Sequence, residues 1–361
     1  MKHIYRSLIF TLILALCFGV FAVAAQEIAA DAVTVVEQEE ATLTDVLGRE
    51  VTFNAPAASA VIAGKKTGTI VELPFMFESG RTSVITGRGG QDKGKFMSLL
   101  DIQTPELEDG SVETVAAMKP DVIFLKSYTR EDAGIAFEET GIPVIYLSLE
   151  SPADYVVDVA AVGKVFGEEE RAAEILAYYA EIEERVAKIA AGVETKKKVL
   201  LLQFAEADGA YALKIAPANW FQTSMVEDAG GDPVWKADAE KTNKWMDVNF
   251  EQIAAYDPDV LLIVNYFDDP KANVAMLKED EAWKELRAVK DGEIYPFGKD
   301  TLSWDSAGPR RGLGLLWTVK TLYPELSEDI DLEAEMQKFY SRFGLEPDVI
   351  EAELISAYLA E

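Results

Sequence analysis

Five short stretches of this 361-residue chain supply cations and flat aromatic rings between them: RGGQDKGK (88–95), KSYTR (126–130), ANWF (218–221), NYF (265–267) and KDTLSWDSAGPRR (299–311). Arg88, Lys126, Arg130, Lys299, Arg310 and Arg311 could hold carboxylate, phosphate or oxyanion groups through charge-assisted hydrogen bonds. Tyr128, Trp220, Tyr266 and Trp304 could wall a macrocycle or a catecholate, and a phenolate at 128 or 266 could ligate Fe(III) directly. Gly89 to Lys95 approaches the phosphate-binding pattern G-x-x-x-x-G-K-[ST], but Phe96 stands where a Mg²⁺-holding hydroxyl is needed. That loop reads as a backbone-rich anion contact or a plain turn.

Much chemistry is excluded by inventory. Residues 1–25 carry Lys2, His3 and Arg6, an apolar run from Leu8 to Val23 and a small-residue end, the pattern of a cleaved secretory signal. The only Cys (Cys17) and the only His (His3) lie inside it. The remainder then has no thiolate nucleophile, no imidazole base, no disulfide and no His or Cys metal ligand. Asp and Glu are abundant enough for a carboxylate-based hydrolase, with Asp300 and Asp305 as a loosely spaced pair. The formal net charge of −29 argues against nucleic acid as a partner. It also means that captured anions would need cations gathered in a sheltered cleft.

These residues must be carried by elements that repeat. VETVAAMKPDVIFLKSY (112–128) returns as FEQIAAYDPDVLLIVNY (250–266), with seven identities at a constant offset. Each copy predicts a helix ending at Ala117 or Ala255, a Pro-Asp turn whose aspartate bonds local backbone N–H groups, and a buried strand ending at a tyrosine. In open parallel sheets ligands sit beyond the carboxyl ends of strands, so Tyr128 and Tyr266 are expected on opposite walls of one cleft.

Around the repeat, LTDVLGREVTF predicts a hairpin turning at Gly48. Short apolar runs at 60–64, 83–87, 121–125 and 143–147, then at 198–204, 259–266 and 293–298, predict strands buried on both faces. Between the two groups, residues 168–192 place Ile175, Tyr179, Ile182, Val186 and Ile189 on one helix face. The expected organisation is a signal (1–25), a flexible leader (26–40), an α/β lobe (41–165), an inter-lobe helix (166–192) and a second α/β lobe with C-terminal helices (193–361). The fold class is α/β, two Rossmann-like lobes with mainly parallel sheets and a ligand cleft between them.

TDVLGREV, the paired KPDVIF and DPDVLL segments, GEEERAAEIL, VEDAGGDPVW, AVKDGEIYPFG and PRRGLGLLWTVKTLYPE together resemble the periplasmic substrate-binding proteins of ABC importers for ferric siderophores, haem or vitamin B12. Some members of that family carry molybdate or tungstate. The resemblance spans nearly all of residues 42–345. It implies a non-enzymatic, monomeric, extracytoplasmic protein with no cofactor of its own, whose solute is a metal complex. It also implies two rigid lobes that close only slightly, and delivery to an ABC permease in the cytoplasmic membrane. Glu72 and Glu227 match the surface glutamates through which such proteins meet their permease. Oxyanion capture is the alternative within the family, and a secreted hydrolase the alternative outside it.

Overall fold

The two copies of the repeat fold alike, and local residues explain why. In the computed structural model, which describes residues 38–64, 67–87, 93–207 and 210–360, the helix Val112–Met118 starts where the Ser111 side chain accepts the Thr114 N–H. The helix Phe250–Tyr256 starts at a reciprocal capping box of Asn249 and Gln252. Both helices run one residue past the expected ends and stop at a left-handed residue, Lys119 (φ 50°) and Asp257 (φ 44°). Pro120 and Pro258 then prevent continuation.

The following aspartates do not bond locally, as the sequence reading expects; they reach across to the neighbouring strand. Asp121 accepts from the backbone N–H groups of Ala58 and Ser59, both at 2.9 Å. Asp259 accepts from Lys198 N–H at 2.7 Å. Each therefore ties the start of its parallel sheet's first strand, at residue 60 or 198, to the strand that follows the aspartate.

The first lobe opens with the hairpin of β1 (Glu39–Thr44) and β2 (Glu50–Ala55), turned at Gly48. Glu39 and Glu40 thus belong to a strand and not to the leader. Its sheet comprises β3 (Ala60–Ile62), β4 (Val84–Thr86), β5 (Val122–Lys126) and β6 (Val144–Leu147), all parallel in the order β4-β3-β5-β6. Alternate residues separate its faces: Val61, Ile123 and Leu125 pack outward under Val115 and Phe137, while Ile62, Val122 and Phe124 face the main core.

The second lobe contains β7 (Lys198–Ala207), β8 (Ala210–Ile215), β9 (Asp232–Pro233), β10 (Met246–Asp247), β11 (Val260–Asn265) and β12 (Ile294–Pro296). The path is β10-β8-β7-β11-β12, with β9 beside β7. β7, β9, β11 and β12 are parallel, whereas β8 and β10 add an antiparallel edge that the sequence reading misses.

The helix Glu169–Ala190 joins the lobes and, at 1.5 Å per residue, is about 33 Å long. It buries Ile175, Tyr179, Ile182 and Val186, as its spacing predicts; Ile189 is only partly covered. It packs against Pro152–Phe166 of the first lobe and against Phe221–Asp228 and Arg311–Leu322 of the second. Tyr179 bridges them, accepting from the Tyr155 hydroxyl at 2.9 Å and donating to the Pro309 carbonyl at 2.6 Å. One hydrophobic cluster runs through both lobes, and residues 39–361 form one compact unit.

The C-terminal segment also crosses the boundary. Phe343 and Tyr340 pack on Phe96 of the first lobe, and Arg81 donates to the Phe343 carbonyl at 3.1 Å. Among the described residues no helix is long and apolar enough to span a membrane. The signal and most of the leader lie outside the described residues.

Candidate functional site

Beyond the carboxyl ends of β5, β6 and β11 lies a cavity of about 560 Å³. Tyr128, just past β5, and Glu150, just past β6, come from the first lobe. The second lobe supplies Lys214 of β8, Trp220, Gln222, the stretch Asn243–Trp245, Tyr266 after β11, Ser306 and Ala307. The repeat thus brings Tyr128 and Tyr266 to one cleft.

Aromatic rings form much of the wall. Trp245 stands edge-on between Trp220 (centroids 6.0 Å) and Tyr266 (6.1 Å). Tyr128 remains 47 % exposed at the mouth. Burial and the neighbouring Glu150 push its phenol up to about 12, so it is neutral at physiological pH. Tyr266 is raised well above its ordinary value by burial and by Asp305, to whose carboxylate its hydroxyl donates at 2.7 Å. Both phenols are therefore protonated in the unliganded protein. Among the described residues no group of three or more His, Cys, Asp or Glu is arranged to hold a metal ion.

The lobes are tied together beside this cavity. Phe221 N–H, at the start of the helix Phe221–Asp228, donates to the Glu150 carbonyl at 2.8 Å. The Glu150 carboxylate pairs with Lys126 at 2.6 Å. Lys126 is wholly buried, also donates to the Ser148 carbonyl, and has its pKa lowered by desolvation against the pull of Glu150. It is a support behind the cleft wall and not a free cation in it.

Tyr128, Trp220 and Tyr266 are the sequence-predicted residues that meet in the cleft; most predicted cations do not, because each has found a carboxylate or carbonyl elsewhere. Arg130 pairs with Glu138 at 2.9 Å and lines a different crevice with Leu47 and Arg49. Lys299 is buried and donates to the Asp268 carbonyl at 3.1 Å. Trp304 has no exposed surface; it donates to Asp300 at 2.8 Å and stacks on Tyr358. Arg310 is buried between Glu72, Asp300 (3.0 Å), Thr301 and Tyr340. Arg311 pairs with Glu183 beneath the rings of Tyr155 and Tyr179. Arg88 and the loop at 88–92 lie outside the described residues.

Glu72 does not lie on the surface, where the resemblance places it. It is 4 % exposed and salt-bridged to Arg310, so it is an internal tie between lobes and not a surface glutamate. Glu227 is half-buried and pairs with Lys236 at 2.6 Å. Asp300 is held by Arg310, Trp304 and Tyr340, and Asp305 by Tyr266, Ser303 and Gln222, so neither is free for the hydrolase reading.

Glu150, Lys214, Gln222 and Asn243–Trp245 are the residues that sequence reasoning missed. KTNKW (241–245) carries the same cation-plus-aromatic signal as the stretches chosen. Among the described residues Lys214 and Lys244 are the cations at the cleft, the former 3.6 Å from Asp247 and the latter exposed.

A larger cavity of about 740 Å³ lies at the start of the long helix. It is lined by Glu78, Glu168, Glu169, Glu170 and Glu174 with Arg81, Arg171 and Arg342, and lacks aromatic walls. Arg81 and Arg171 there donate to the Phe343 and Arg342 carbonyls, which marks it as a seam between elements. The aromatic cleft at the strand ends is the stronger candidate site.

Comparison with known proteins agrees with this architecture. The profile of the family described as "Periplasmic binding protein" matches residues 89–301. The molybdate-binding protein MolA of Haemophilus influenzae is 22 % identical over 328 residues, covering 83 % of this chain and 90 % of that protein. The Fe(3+)-citrate-binding protein YfmC of Bacillus subtilis is 23 % identical over 193 residues, covering 53 % of this chain and 58 % of that one. Among solved structures, a periplasmic solute binding protein from Veillonella parvula superposes with a TM-score of 0.67 at 22 % identity, over 89 % of this chain and 99 % of its own.

Proposed function

The chain belongs to the periplasmic binding protein family, and from that premise we propose that it captures a metal complex outside the cytoplasm, a ferric chelate being the best fit. The observation that carries this is the aromatic cleft of about 560 Å³ between the lobes. A tetrahedral oxyanion fills little more than the room of two or three water molecules, each about 30 Å³, and has no use for aromatic walls. A multidentate chelate fills such a volume, and its flat or aliphatic parts can lie on Trp220, Trp245, Tyr128 and Tyr266 while Lys214 and Lys244 meet its negative charge. The protein's part is binding, with the metal arriving already chelated as cargo.

Delivery to an ABC permease of the cytoplasmic membrane, as a monomer, completes this reading. Glu227 remains a docking candidate on the second lobe: Glu227→Ala should leave solute affinity unchanged and reduce uptake in a transport assay. Molybdate is the second reading, supported by the likeness to MolA over most of both chains.

Tryptophan fluorescence reports on the cleft directly. Titration of unloaded protein should show saturable quenching by ferric citrate or a ferric catecholate and none by sodium molybdate. Saturable molybdate binding with no response to any ferric chelate would replace the first reading by the second.

A further inference from the structure

Gln222 occupies the buried end of the cleft, 3 % exposed. Its amide nitrogen lies 2.9 Å from the Asp305 backbone oxygen and 3.5 Å from the Asp305 carboxylate. A carbonyl oxygen only accepts, so the NH₂ end must face Asp305, and Oε1 is the end left over. That oxygen has no hydrogen-bond partner. An acceptor buried without a partner is unfavourable until a donor arrives.

The neighbouring groups have the same bias. The Tyr266 proton is committed to Asp305 at 2.7 Å, so the phenol gives none to the cavity. Glu150 faces the cleft from the other lobe with one carboxylate oxygen on Lys126 at 2.6 Å, and an ionised carboxylate only accepts. Glu150 and Gln222 are held close together, because the residue next to Gln222, Phe221, donates its N–H to the Glu150 carbonyl.

We propose that this end of the cleft reads hydrogen-bond donors: the solute presents N–H or O–H groups of an amide- or hydroxyl-bearing chelate to Gln222 Oε1 and the Glu150 carboxylate. Lys214 and Lys244 meet its anionic part. A bare oxyanion, which only accepts, finds no partner there and is rejected. This deepens the metal-complex reading and rests on it.

The ferric complexes of acetohydroxamic acid and N-methylacetohydroxamic acid share metal, charge and chelating oxygens and differ by N–H against N–CH₃. With excess hydroxamate present, both are titrated against tryptophan fluorescence, alongside ferric citrate and sodium molybdate. The N–H complex should bind wild type about tenfold more tightly, corresponding to about 1.4 kcal/mol. Gln222→Met should remove that preference by weakening the N–H complex alone, and molybdate should not bind. Equal affinity of the two hydroxamates for wild type, or tighter binding of molybdate than of either, overturns the donor-reading end while capture of a solute stands. No binding of the hydroxamates or of ferric citrate overturns the metal-complex reading and this inference with it. The comparison on wild type holds whether or not the variant folds.

Discussion

At the residue scale, charge partners decide which cations are available, and those partners lie far away in sequence. Arg310 and Glu72 are 238 positions apart and yet form a buried ion pair. Removing one side of such a pair strands the other, which typically costs about 3–5 kcal/mol; Asp300 still faces Arg310, so Glu72→Ala should fall near the lower figure. Chemical denaturation measures this directly, and a change below about 0.5 kcal/mol, as expected of a surface glutamate, would refute the buried role. Asp158 supplies a pH signature. Burial pushes its carboxyl up to about 7, against two backbone donors, Ser148 and Leu149, at 2.7 Å. A folded value above the unfolded one means that the native state binds the extra proton, so this group's contribution is present at low pH and is lost as pH rises through about 7. Asp158→Asn cannot titrate, so the melting temperature of wild type minus that of the variant should fall between pH 4 and pH 8. In the cleft, Trp220→Ala should weaken ferric-chelate binding about tenfold or more with little loss of stability, read by native mass spectrometry. Residue types alone marked Tyr128, Trp220 and Tyr266 for the site, whereas the fates of Lys126, Arg130, Lys299 and Arg310 depended on three-dimensional partners that no local pattern records.

At the element scale, the repeat was legible because its signals are local: a proline stop, an aspartate beside it and a run of buried apolar residues. Asp121→Ala and Asp259→Ala test the strand anchors, which sequence alone had assigned to their own turns. Asp121 accepts three hydrogen bonds from residues 58 and 59, so its loss should cost about 1–3 kcal/mol by urea unfolding. A cost within experimental error would return it to a merely local turn role. The antiparallel edge was illegible for the opposite reason. β10 is two residues long and β8 carries mixed side chains, so neither has a period of its own, and both exist because β7 is there to pair with. Lys214 lies on that edge, and Asn243–Trp245 run directly into it, which is why the site was only half visible.

At the scale of the whole molecule, the lobes share one hydrophobic cluster, a spanning helix, the Arg310–Glu72 pair and the Phe221–Glu150 backbone bond. Calorimetry should therefore show a single unfolding transition, and two resolved transitions would mean that the lobes are independent. The same ties limit closure, so small-angle scattering profiles with and without solute should nearly coincide.

The bracing of Phe96 and Arg81 by Tyr340 and Phe343 sets an order on how the protein comes into being. A chain that emerges N-terminus first cannot finish the face of its leading half until its last segment appears. Until then Phe96 and the Arg81 guanidinium lack the rings and the carbonyl that cover them.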